Sequence, residues 1–161
     1  MASGGSGEPG SGADERLSEV AHAGARGVVG AMAMTGVRVF TRDLGIVKQT
    51  PPEAIAKQRA HGLLRRVPRK RRRATVEFAH WGYGAVGGAM FGLLPESLRR
   101  RAWAGPVYGL LAWLGFELAL APVLGLKQAK RLGGAVERAA LAGDHLLFGL
   151  VLAEGRRRPQ K

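Results

Sequence analysis

Of the ionisable side chains in the apolar stretches of this chain, His80, Glu117, Asp144 and His145 are the ones expected at depth. Two imidazoles and two carboxylates are the set from which a proton relay or a small cation site is assembled. The plainer reading is that each residue sits at an interface or makes a single interhelical hydrogen bond. His80 stands near the start of its stretch, which favours the plainer reading, whereas Glu117 lies deeper in the most apolar one. Among these four, no His-x-x-x-His or Glu-x-x-His pair shares a helix, so no metal site is expected. The chain has no P-loop, dinucleotide-binding fingerprint or Gly-x-Ser-x-Gly elbow. No catalytic residues and no cofactor are therefore assigned, and enzymatic activity is not expected.

The elements that must hold these groups are four apolar segments, at about 20–40, 78–94, 104–120 and 136–153. Each has about the length a helix needs to cross a hydrocarbon layer. The third, AGPVYGLLAWLGFELALA, carries only Glu117 as a charge, whereas the fourth contains Glu137, Arg138 and Asp144. Arg26 and Arg38 lie toward the two ends of the first, where long side chains can snorkel to the interface. Backbone groups in lipid must be satisfied internally and strand alternation is absent, so the expected fold is all-α: a four-helix transmembrane bundle.

Mean hydropathy is close to zero because charge and apolarity are segregated along the chain. The net charge is +13, with 25 Lys and Arg gathered into a few blocks. Residues 1–18 are rich in Gly and Ser and read as a disordered tail, and 154–161 as a basic C-terminal tail. The absence of cysteine excludes a disulfide framework and thiolate metal sites.

Small residues recur four apart within the segments. His80, Gly84, Gly88 and Gly92 form one stripe; Gly105, Gly109, Trp113 and Glu117 another; His145, Gly149 and Ala153 a third; and Ala23, Gly27, Ala31 and Thr35 a fourth. Residues at this spacing share a helix face, and small ones let helix backbones approach closely without a hydrophobic driving force. Gly84, Gly88, Gly92, Gly105, Gly109 and Gly149 are thus the expected packing positions. The chain also resembles itself, because His80-x-x-Tyr83-Gly84 recurs as His145-x-x-Phe148-Gly149. Likewise Leu44-Gly45-Ile46 after the first segment matches Leu124-Gly125-Leu126 after the third. Two tandem helical hairpins in parallel orientation follow from that order.

The linker 42–77 carries 11 Lys and Arg against three Asp and Glu. Thr50-Pro51-Pro52-Glu53 has the form of a capping box, and Ile55, Ala56, Ala60, Leu63, Leu64 and Val67 follow at helical spacing. A basic amphipathic helix on a membrane surface is expected there, ended by Pro68. Arg65, Arg66, Arg69, Lys70, Arg71, Arg72 and Arg73 are the expected contacts to anionic lipid headgroups. The positive-inside bias places this linker in the cytoplasm, against two opposing Arg triplets at 99–101 and 156–158. The alternative is a soluble basic helical protein that binds nucleic acid; few aromatic residues interleave the basic run, which disfavours it. Self-association is also expected if the small-residue faces are left uncovered.

His-x-x-Tyr-Gly-x-x-x-Gly-x-x-x-Gly from His80 to Gly92, Gly-Pro-Val-Tyr-Gly-Leu-Leu-Ala-Trp from Gly105 to Trp113, Phe116-Glu117, Pro122-x-Leu124-Gly125-Leu126 and the His145 helix together resemble the YagU-like group of small bacterial inner-membrane proteins. The resemblance covers about residues 24–153. It implies a multi-pass inner-membrane protein of undefined molecular function, with a suggested link to survival in acid. It supplies no catalytic residues. The basic linker and the Gly/Ser tail depart from the group's pattern.

Overall fold

In the computed structural model, residues 10–45, 66–123 and 135–154 are described, and among them all regular structure is helical. Helix α1 spans Gly10–Asp43. A 3-10 turn, Arg69–Arg71, leads into α2, Arg72–Gly92. A short α3, Glu96–Arg99, precedes α4, Ala104–Gly115. The chain then widens into a π turn at Phe116–Leu120, continues as α5, Ala121–Val123, and ends in α6, Ala135–Glu154.

Local chemistry accounts for the breaks. Gly45 adopts a left-handed φ of 72°, open to glycine without steric cost, and its amide bonds Arg42 O at 2.8 Å, closing α1. Leu94 precedes Pro95, which disfavours continuation of α2, and Pro95 then caps α3. Pro106 sits in the first turn of α4, where amides have no helical partner. The π turn comes just before Pro122, whose missing N–H could not complete a regular ladder.

Several boundaries differ from the sequence reading. Helix α1 begins at Gly10, inside the stretch read as a disordered tail, and residues 12–19 are exposed, so this first part lies outside the packed core. Helix α2 begins at Arg72 and thereby absorbs the last six residues of the presumed linker. Of the presumed surface helix, residues 46–65 lie outside the described residues, and Arg65 with them. Arg66, Arg69, Lys70, Arg71 and Arg73 are exposed, whereas Arg72 is partly covered and donates from Nε to Val67 O at 3.0 Å. Among the described residues no helix is long and apolar enough to cross a membrane.

Two seams hold the bundle together. On the first, α1 meets α2: a Cβ added at Gly27 would collide with the Gly84 carbonyl and lie 2.9 Å from Gly88 Cα, and one at Gly92 would meet Ala23 Cβ at 2.8 Å. On the second, α4 meets α6: Gly105 and Gly149 each leave no room for a Cβ at the other, and a Cβ at Gly109 would strike the His145 carbonyl. Backbone therefore lies on backbone at both seams, the arrangement that four-residue spacing of glycine permits. The seams pair α1 with α2 and α4 with α6, and α1 also packs on α6. Between α1 and α6 a small core forms from Met34, Phe148 and Leu152, continued by Phe91 and Ala104. Helices α2 and α4 touch where Tyr108 stacks edge-on against Phe91, ring centroids 5.2 Å apart.

Candidate interior site

Arg38 and Asp144 form a buried ion pair. Arg38 Nε donates to Asp144 Oδ2 at 3.3 Å, joining α1 to α6 across their interface, and the two side chains are only 7% and 5% exposed. The sequence reading placed Arg38 near a helix end with its charge in the interface. Here it is interior and paired, because Met34 and Arg38 follow Gly30 on the face of α1 that packs against α6. The same reading offered Asp144 as a partner for the histidines; it pairs with the guanidinium instead.

His80 and His145, equivalent positions in the internal repeat, line one cleft. His145 Nδ1 lies 2.8 Å from Leu141 O. A carbonyl only accepts, so Nδ1–H donates and Nε2 of a neutral ring is left as an acceptor. His80 Nε2 is buried without a hydrogen-bond partner. Glu117 is buried within the π turn. Neither it nor Asp144 lines the cleft. The four expected polar residues thus divide into two histidines on the cleft, an aspartate in an ion pair, and a glutamate on the π turn. Among the described residues, no group of three or more His, Asp or Glu is arranged to hold a metal ion.

A further polar knot lies where α1 and α2 run on past their seam. The Thr35 hydroxyl donates to Glu77 Oε2 at 2.9 Å and accepts from Trp81 Nε1 at 3.3 Å. Sequence reading named Thr35 only as a small residue on a stripe and passed over Glu77 and Trp81. Glu77 one turn before His80 and Trp81 directly after it on α2 were the available signal. Glu77 stands three residues before His80, a spacing seen in metal motifs, but it is engaged by Thr35.

The cleft itself lies between α2 and the run formed by α4 and the π turn, with α1 and α6 as its floor, and has a volume of about 520 Å³. Its walls are mostly apolar: Tyr83, Met90, Ala112 and Phe116, with Phe148 below. At one end Tyr108 crosses the gap and donates to Gly87 O at 2.7 Å. This bond pins α2 to α4, and Tyr108→Phe is expected to lower the unfolding free energy by about 1 kcal/mol. Detergent-titrated unfolding of the two proteins checks it; equal midpoints would mean the bond holds nothing together.

Comparison with family models, with curated proteins and with solved structures yields no match to this chain.

Proposed function

We propose that the chain is a multi-pass protein of the cell membrane, and that its interior cleft with His80 and His145 handles a small solute within the bilayer. One observation carries this reading: large apolar side chains point outward from every long helix, while the interior holds glycine seams, a small apolar core and a buried ion pair. Val29 is 56% exposed, Met90 58%, Leu111 60% and Leu150 55%. In water such a surface would associate, whereas in lipid it is the solvated face.

The individual helices fall short of a span for identifiable reasons. The inward faces of α2 and α6 include Gly84, Gly88, Gly92, Asp144 and Gly149 beside Phe91, Phe148 and Leu152, and the small and polar ones lower the average hydropathy without touching lipid. The π turn divides the third segment into pieces of 12, 5 and 3 residues, although Ala104–Val123 runs end to end as 20 helical residues. At 1.5 Å per residue that run, like the 21 residues of α2 and the 20 of α6, reaches about 30 Å, the thickness of a hydrocarbon core. The exposed basic residues from Arg66 to Arg73 stand at the start of α2, where they would meet anionic headgroups on the cytoplasmic side. The resemblance to the YagU-like group rests on residue patterns alone and points the same way.

Alkaline carbonate treatment of membranes from cells expressing the full chain tests the proposal. The protein is expected to remain with the pellet and to require detergent for extraction. Release into the supernatant, or a monodisperse preparation without amphiphile, would refute it.

A further inference from the structure

The cleft is the unfilled half of a pseudo-symmetric bundle. The seams fix the correspondence between the two halves, since Gly84 meets Gly27 as Gly149 meets Gly105. Counting from those pairs, Gly30, Met34 and Arg38 of α1 correspond to Tyr108, Ala112 and Phe116 of the α4 run, and Phe148 corresponds to Tyr83. The first set builds the closed interface between α1 and α6: Phe148 lies against Gly30 beside Met34, and Arg38 binds Asp144. The second set lines the cleft, where α2 and α4 stand apart. Phe148 is 5% exposed, whereas its counterpart Tyr83 is 53% exposed. An apolar surface that is covered in one half therefore lacks its cover in the other.

We infer that this cleft binds a lipid-soluble alcohol, a single-chain molecule with an uncharged hydroxyl head, its head at His80 and its chain between Tyr83 and Phe116. The inference rests on the membrane reading, because the cleft then opens sideways into hydrocarbon. Three observations select the chemistry. A volume of about 520 Å³ lies in the range of sites for small molecules and is too small for a two-chain phospholipid. The walls are apolar and aromatic, so the body of the ligand is apolar. The polar end offers His80 Nε2, which lacks a partner, together with the ring of His145, while the nearby charge of Arg38 is already balanced by Asp144. A charged head would bring an uncompensated charge into that interior, whereas a hydroxyl both donates and accepts and fits either tautomer of His80.

The test uses the full chain in phosphatidylcholine nanodiscs and a hexadecanol carrying a mid-chain diazirine. After illumination, label is expected on peptides containing Tyr83–Met90 and Ala112–Ala119. Unlabelled hexadecanol should compete, while hexadecane and palmitate should compete at least about tenfold less well. His80→Phe should reduce labelling by a similar factor and His80→Gln should retain most of it. Tyr83→Trp, on the exposed wall, should block the cleft without touching a seam. Label spread evenly over outward residues such as Leu111 and Leu150, or competition by hexadecane equal to that by hexadecanol, would overturn the proposal. Stronger competition by palmitate would overturn the uncharged head. Retention in carbonate-washed membranes without cleft labelling would defeat this inference alone, whereas release by carbonate would defeat the membrane reading and the inference with it.

Discussion

Gly84→Leu is expected to separate α1 from α2 and to cost about 3 kcal/mol or more of stability. A Cβ at Gly84 already meets Ala31 Cβ at 2.6 Å and the Gly27 carbonyl at 2.7 Å. Neither neighbour can swing aside, one being a methyl fixed to a helix and the other main chain. The only response is for the helices to move apart, which removes the contacts of Gly27, Gly88 and Gly92 along the same seam. Gly82→Ala is the matched control. It lies two residues away on the same helix, and a Cβ there meets nothing within 4 Å, so the gain in helix propensity should leave the bundle unharmed or more stable by about 0.5–1 kcal/mol. Unfolding of both variants in a graded detergent series checks the pair. Equal midpoints for Gly84→Leu and wild type would show that the seam is not where the energy of association lies.

The second large effect belongs to the ion pair. Asp144→Ala leaves the Arg38 guanidinium inside the bundle without its carboxylate, and a loss of about 3–5 kcal/mol is expected. The double change Arg38→Met with Asp144→Leu removes both charges and should recover most of that loss, because the desolvation cost disappears with the attraction. Wild type, Arg38→Met, Asp144→Leu and the double variant form a double-mutant cycle. If Arg38→Met and Asp144→Leu prove additive, the two side chains do not act as a pair.

The seams were legible in the sequence because a four-residue spacing reports the face of a helix directly. Gly84, Gly88, Gly105, Gly109 and Gly149 needed no knowledge of their partners to be singled out, and the repeated His-x-x-aromatic-Gly marked His80 and His145 as equivalent positions, though not the cleft they line. What periodicity does not encode is which face meets which neighbour. Arg38 and Asp144 are 106 residues apart in sequence, and only the packing of α1 on α6 reveals that each is the other's counter-ion. Thr35, Glu77 and Trp81 were obscure for the same reason. The start of α1 was hidden differently: Gly, Ser and Asp have weak helix preference, yet the helix runs through them from Gly10. The π turn had one local warning, Pro122, two residues beyond its end.

Main chain resting on main chain has a consequence for how this molecule can change over generations. In most proteins the bulky interior is the conservative part, and small residues drift freely. Here the order is reversed. Each glycine in a seam admits no larger substitute, whereas an outward Leu111 or Leu150 can become Ile, Val or Met with little effect, since nothing interlocks with it. A saturation library of this gene should therefore lose its smallest residues last.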